Sequence, residues 1–182
     1  EGVDPNESVK TPGVTAVSPL QAAIQRRDPE ALRFLLEVGA TPTVNLLSDV
    51  GQLYDDPATQ TEMTRIVLES DVSQPGDVIV NLFAAHGAPD AFELLFKHGA
   101  KVNNKAGSFT QDPTLIAAIT STEKVRIALK YGADPNRGTH NLRETPLHVC
   151  ARRGNAATAE LLIARGAKVG SVNGNTETPI EV

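Results

Sequence analysis

The stretch Thr145-Pro146-Leu147-His148-Val149-Cys150-Ala151-Arg152-Arg153-Gly154, continued by Asn155 to Ala167, decides the fold. Thr145 suits a helix N-cap, and Pro146 falls at the first helical position, where its missing N–H leaves no bond unmade. Leu147, Cys150 and Ala151 recur at i, i+3 and i+4, giving one narrow apolar face of small residues. Gly154 supplies the left-handed residue that ends this helix. Asn155 caps a second helix, lined by Ala157, Leu161, Leu162 and Ala164 and closed by Gly166. Helices this short do not persist alone in water. The unit has to stack on others of its kind.

The others are present. A Gly-Ala pair closes a helix at Gly39-Ala40, Gly99-Ala100, Gly132-Ala133 and Gly166-Ala167, with spacings of 60, 33 and 34 residues. The longest interval divides, because Val67-Leu68-Glu69-Ser70-Asp71-Val72 echoes Leu35-Leu36-Glu37-Val38-Gly39-Ala40. A capping residue followed by proline occurs at Ser18-Pro19, Asp112-Pro113, Thr145-Pro146 and Thr178-Pro179, the last three 33 residues apart. This period, with a Thr-Pro-Leu-His opening and a Leu-Leu…Gly-Ala close, resembles the ankyrin repeat. The resemblance implies an all-α fold, an ankyrin-type helical solenoid of about five helix–turn–helix repeats with hairpin-like loops. It predicts a single domain over 1–182, with repeats at about 18–43, 44–74, 77–104, 112–137 and 145–170 and partial repeats at 1–6 and 178–182. Gly2-Val3-Asp4-Pro5-Asn6 duplicates Gly132-Ala133-Asp134-Pro135-Asn136, and Thr178 to Val182 opens like a further repeat. Both ends read as cut from a longer array.

Composition agrees with this reading. Hydrophobic residues make up 40% of the 182 positions but aromatics only 4%, which suits thin layers of short, closely packed helices. The single Cys150 excludes an internal disulfide and, on an apolar face, reads as a small buried hydrophobe. No apolar stretch reaches the length needed to span a membrane, and no signal-peptide pattern is present. An intracellular, cytoplasmic setting is expected. Residues 1–91 carry a net charge of −9 and residues 92–182 a net +4, so the chain has an acidic end and a basic end.

Individual repeats depart from the pattern. In the second, Val44, Leu46, Leu47, Val50, Leu53 and Tyr54 have helical spacing without a cap-proline start, which predicts an extended first helix and an enlarged turn at Asp55-Asp56-Pro57. In the third, Val78, Val80, Leu82, Phe83 and Ala84 predict a buried helix, and Pro89-Asp90 opens a partner carrying Phe92, Leu94, Leu95 and Phe96. The fourth has a short, glycine-free turn near Thr120 to Thr122.

No constellation of catalytic residues emerges. His86, His98, His140 and His148 occupy different repeats and lack the Cys/His pairing of a zinc site. Asp55 and Asp56 are adjacent and point apart. No phosphate loop or nucleophile elbow occurs. The chain is read as no enzyme, with no cofactor and no metal. For His148 the resemblance implies a structural hydrogen bond with the threonine that starts its helix. Leu95 and Asn103 partly match the motif of ankyrin repeats hydroxylated on a hairpin asparagine, although Lys101 replaces the usual acidic residue.

By the same resemblance, binding belongs to the concave face built from hairpin tips and first helices. The implied protein-binding positions are Asn141, Leu142, Glu144, Arg152 and Arg153 in the fifth repeat, Gln25 and Arg26 (with Val17) in the first, and Asp77 and His86 (with Ala85) in the third. Ile119 and Thr120 are the equivalents in the fourth, and Phe109 is an aromatic anchor candidate on the third hairpin. Arg152 and Arg153 read as free surface residues, so that reversing both charges would spare the fold. The expected function is a monomeric, non-catalytic protein–protein interaction module. Nucleic acid is not an expected partner, since the chain is acidic and lacks a basic, aromatic groove, and no membrane insertion is expected. The alternative is a regulatory or substrate-recruiting segment of a larger enzyme or channel.

Overall fold

A computed structural model of the chain describes residues 4–7, 17–43, 45–70, 74–102 and 113–182. Among them are ten α-helices: α1 (Pro19–Gln25), α2 (Pro29–Glu37), α3 (Leu46–Gly51), α4 (Pro57–Glu69), α5 (Asp77–His86), α6 (Pro89–Lys97), α7 (Thr114–Ala117), α8 (Thr122–Lys130), α9 (Pro146–Arg153) and α10 (Ala156–Ala164). A 3₁₀ turn, Ala118–Thr120, continues α7. The described residues contain no strand beyond an isolated bridge residue at Val17. Contacts cluster into two compact units, one of residues 1–75 and 86–99, the other of residues 76–85 and 100–182.

In the first unit, proline starts α1, α2, α4 and α6, and the preceding residue caps three of the four. Ser18 accepts from the Gln21 N–H at 3.2 Å, Asp28 from Ala31 at 2.9 Å, and Asp56 from Thr59 at 3.1 Å. The fourth cap, Ala88, has no side-chain oxygen. Gln60 of α4 replaces it: its Oε1 accepts the Ala88 N–H at 2.7 Å, while its Nε2 donates to the carbonyls of Val50 and Gly51 at 3.3 and 3.2 Å. Gln60 is fully buried. One amide thus ties the end of α3 and the start of α6 to α4. In the same unit Ile24, Leu32, Leu46, Leu47, Met63, Phe92 and Leu95 are inaccessible to solvent or nearly so. Each contributes about 1.5–3 kcal/mol by leaving water.

Arg27 ends α1 with a positive φ of 57°, where the chain after α9 uses Gly154 at 64°. A side chain is strained in this region. Here the guanidinium is held by Asp55 at 2.6 Å and lies 3.9 Å from Asp56. Hydrogen bonding to Arg27 lowers the Asp55 carboxyl below its ordinary range, and bonds from Thr59 do the same for Asp56.

The second repeat differs from its sequence reading. Its first helix, α3, is short rather than extended, only six residues, because Asn45 makes no side-chain cap and no proline opens the turn. Leu53 is buried beyond the helix end, and Tyr54 turns outward, 63% exposed. The turn from Gln52 to Asp56 is long, as read. α4 ends with Ser70 extended (φ −78°, ψ 161°), where the equivalent Val38 stays near-helical (φ −84°, ψ 7°), so the echo of the first repeat departs at this residue. Asp71 and Val72 lie outside the described residues.

In the second unit, α5 turns Val80, Phe83 and Ala84 inward, but Val78 is 65% exposed, against its sequence reading. Thr114 of α7 donates to Asn81 of α5 at 2.8 Å, and Lys124 of α8 donates to the Ala85 carbonyl at 3.2 Å. Burial lowers the Lys124 ammonium to about 8. Pro113 occupies the N-cap of α7 rather than its first turn, and Asp112 lies outside the described residues. α7 lasts one turn before tightening into the 3₁₀ segment, and Ser121 caps α8 in place of a glycine turn.

α9 starts as the sequence requires. The Thr145 N–H, which can only donate, approaches His148 Nδ1 at 3.2 Å, and Thr145 Oγ1 lies 2.7 Å from the same nitrogen. Nδ1 is therefore the acceptor, and the neutral ring carries its proton on Nε2. Nε2 donates to the Glu177 carbonyl at 2.9 Å. The buried stripe centres on this fully enclosed imidazole, with Leu147, Val149 and Cys150 beside it, so Ala151 faces outward instead of completing the face. Burial pushes the Cys150 thiol up to about 11. In α10, Thr158 and Leu162 take the buried positions while Ala157 and Ala164 are exposed; Thr158 turns inward to share a 2.7 Å hydrogen bond with Thr122.

The Asp-Pro-Asn part of the duplicated pentapeptide makes the same turn twice, while Gly2 and Val3 lie outside the described residues. The Asn6 N–H donates to Asp4 Oδ1 at 2.9 Å, and Asn6 Oδ1 accepts the Thr41 N–H at 2.7 Å. In the other unit Asn136 bonds Asp134 at 2.9 Å, accepts the Lys168 N–H at 2.8 Å and donates to Gly166 at 3.0 Å.

Replacing Gln60 by Met keeps the volume but takes their Gln60 partner from the buried Ala88 N–H and the Gly51 carbonyl, while the Val50 carbonyl keeps its bond from the Leu53 N–H. Urea denaturation should show a loss of about 2–4 kcal/mol, and an unchanged midpoint would overturn the role given to this amide.

Candidate protein-binding surfaces

Exposed side chains of the first unit fall into register with the helix caps. Arg26 lies two residues before the cap Asp28, Tyr54 two before Asp56, and His86 two before Ala88. All three are exposed. The Tyr54 and His86 rings stand 6.3 Å apart at 50°, within the range of a tilted aromatic pair. Gln25, also exposed, precedes Arg26. Tyr54 was absent from the residues the sequence singled out, where its apolar neighbours assign it to a helix face. Its place two residues before Asp56 is the signal that identifies it.

In the second unit, Asn141 and Leu142 are exposed at the tip of a closed loop. The Thr139 N–H bonds the Glu144 carbonyl at 2.9 Å and the Glu144 N–H bonds Thr139 Oγ1 at 3.1 Å. Gly138 is required there, since a Cβ on it would meet the Arg143 carbonyl oxygen at 2.6 Å. The Gly174 N–H donates to the Leu142 carbonyl at 2.6 Å, which braces the tip against the following loop.

Glu144 corrects its sequence reading. It is not an open surface residue: its side chain is only 8% exposed and forms a two-pronged ion pair with Arg152, whose Nη1 donates to Oε2 at 3.1 Å and whose Nη2 donates to Oε1. Arg152 remains half exposed, so its outer edge is still available, but it also holds Glu144 in place. Arg153 is exposed. Asp77 is half-buried at the start of α5, Thr120 is exposed, and Ile119 is buried rather than presented. Phe109 and Asn103 lie outside the described residues. The structure therefore joins Tyr54 to His86 and Glu144 to Arg152, and leaves Gln25 and Asp77 outside these pairs.

Among the described residues no group of three or more His, Cys, Asp or Glu side chains is placed to hold a metal ion, and no helix is long and apolar enough to cross a membrane. A family model of ankyrin repeats (three copies) matches residues 60–173. The chain belongs to the ankyrin-repeat family. Ankyrin repeats are typically non-catalytic modules of protein interaction. The chain is 27% identical to human transient receptor potential cation channel subfamily A member 1 over 85% of its own length and 15% of that protein. It is 34% identical to the ankyrin repeat and SOCS box protein 11 of Danio rerio (54% of this chain, 33% of that protein). With the ankyrin repeat protein nuc-2 of Neurospora crassa it shares 32% identity over 80% of this chain and 13% of that protein. It thus spans a third or less of the length of these relatives. In three dimensions it is similar to the ankyrin repeat domain of Bcl-3, with a TM-score of 0.73 at 20% identity, over 90% of this chain and 76% of that one.

Two outcomes are expected. Arg152→Glu sets two carboxylates against each other at a nearly enclosed site and should cost about 1–3 kcal/mol. Arg153→Glu should leave the thermal midpoint unchanged; equal midpoints for both variants would sink the assignment. Asp55 has its carboxyl lowered on folding, so the Arg27 pair stabilises above the ordinary carboxylate range and that stability is lost as pH falls through the lowered value. The stability difference between wild type and Arg27→Met, followed by urea titration, should therefore shrink from pH 7 to pH 3.

Proposed function

We propose that the chain is a non-catalytic recognition module that binds a protein partner through the exposed ends of its first helices and the loop tips beside them. The observation that carries this reading is Tyr54. It is a largely exposed aromatic paired with His86, at the same register as Arg26, and such residues anchor protein interfaces. In the second unit, Asn141, Leu142, Arg153 and the outer edge of Arg152 supply a polar and cationic counterpart, with Glu144 fixing the arginine's orientation. The first unit has 14 acidic and six basic residues, a formal charge of −8, and the second has eight and 11, a formal charge of +3. This balance favours protein over nucleic acid as partner. The module acts as a monomer inside the cell and needs neither cofactor nor metal.

The likeness to a cation channel over 85% of the chain favours a second reading, in which the same surfaces regulate or recruit within a larger polypeptide.

The test is affinity capture from source lysate with three baits: the wild-type chain, Tyr54→Ala with His86→Ala, and Arg153→Glu. A protein retained by wild type should fall by about tenfold or more on losing a central aromatic anchor. A partner held equally by all three baits would overturn the assignment.

A further inference from the structure

A second surface of the first unit, on the second helices, also has the chemistry of a binding site. A cleft of about 480 Å³ opens between α2 and α4, lined by Arg33, Leu36, Glu37, Ala40, Pro42, Ile66, Glu69 and Ser70. Ala40 and Ile66 are buried and form its apolar floor. Leu36 and Pro42 are half-buried at its side. The one cation in the lining is already engaged: Arg33 pairs with Glu62 at 2.8 Å, and Glu62 also holds Arg65 at 2.9 Å. Glu37 and Glu69 stand exposed on the rim, and neither has an ion-pair partner among the described residues. Both sit in the unit whose formal charge is −8.

We propose that this cleft binds a basic segment of a partner protein, in which an apolar side chain enters the floor and a nearby lysine or arginine reaches the Glu37 and Glu69 carboxylates. An apolar floor beside unpaired carboxylates is complementary to this combination. The floor covers the anchor and the aliphatic stem of the cation, while the rim receives its charged head. An acidic or wholly apolar segment would leave the two carboxylates unpaired or opposed. The cleft volume falls within the size of sites that enclose a few side chains. This surface is separate from the Tyr54 row and does not depend on it.

The experiment uses the whole chain and a fluorescein-labelled 12-residue peptide of alternating leucine and lysine, with a leucine–glutamate peptide of the same length as control. Fluorescence anisotropy should show saturable binding of the basic peptide and none of the acidic one. Glu37→Gln with Glu69→Gln should weaken binding by about tenfold, the effect of losing a charge-assisted contact. Glu30→Gln with Asp90→Asn, which removes two exposed carboxylates elsewhere in the unit, should change it by less than about twofold. Leu36→Ala should weaken binding without altering the circular dichroism spectrum. Equal losses from the two carboxylate pairs would reduce the effect to the general acidic field and overturn the proposal, as would absence of saturable binding. A concentration-dependent dimer in sedimentation that Glu37→Gln with Glu69→Gln abolishes would assign the cleft to a second copy and overturn it too.

Discussion

Helices this short cannot satisfy their own ends. Each leaves several N–H groups and carbonyls without a partner in the helix, and nearly every distinctive residue of this chain answers that shortage. Asp28, Asp56, Ser121 and Asn155 supply oxygens to the helices they precede. Where the sequence offers no such group, a neighbour supplies it, as Gln60 does for Ala88. His148 accepts the Thr145 N–H at the start of α9 with one ring nitrogen and donates to the Glu177 carbonyl of the following segment with the other. Stability therefore resides in bonds between successive helix pairs as much as within them. The apolar layers can stay thin because the helix ends are already satisfied.

The same arrangement separates structural polar residues from available ones. Polar side chains that cap or staple are turned inward or spent on backbone groups. Those left exposed include residues just before the second-helix caps, at loop tips and along the second helices, where recognition has room to vary. Arg27 and Arg26 illustrate the division: adjacent in sequence, the first is held by Asp55 and the second is exposed. Glu144 and Arg152 blur it, since one group braces the other at the edge of the surface.

The fold was legible because a period near 33 residues, a cap-proline start and a left-handed glycine close are all local signals. His148 and the duplicated Asp-Pro-Asn turn were readable for the same reason. Errors arose where one residue's environment depends on a partner far along the chain. Apolar spacing placed Tyr54 and Val78 inside, but α3 ends too early to carry Tyr54 inward, and α5 buries a narrower stripe than its composition offers. The family resemblance placed Glu144 on the open surface, because nothing local shows that Arg152, eight residues on, folds back over it. Gln60 was invisible for a related reason. A glutamine within a helix reads as surface until the missing oxygen at Ala88 is set beside it.

The paired turns at Asn6 and Asn136 carry an implication for how such a chain changes length. Each asparagine reaches the backbone of the next turn, yet the intervals to the groups they bind differ, 35 residues to Thr41 and 32 to Lys168. The joint between successive turns is thus indifferent to what is added or removed between them, provided both asparagines keep their reach. A gene encoding such units can gain, lose or stretch one without re-inventing the seam.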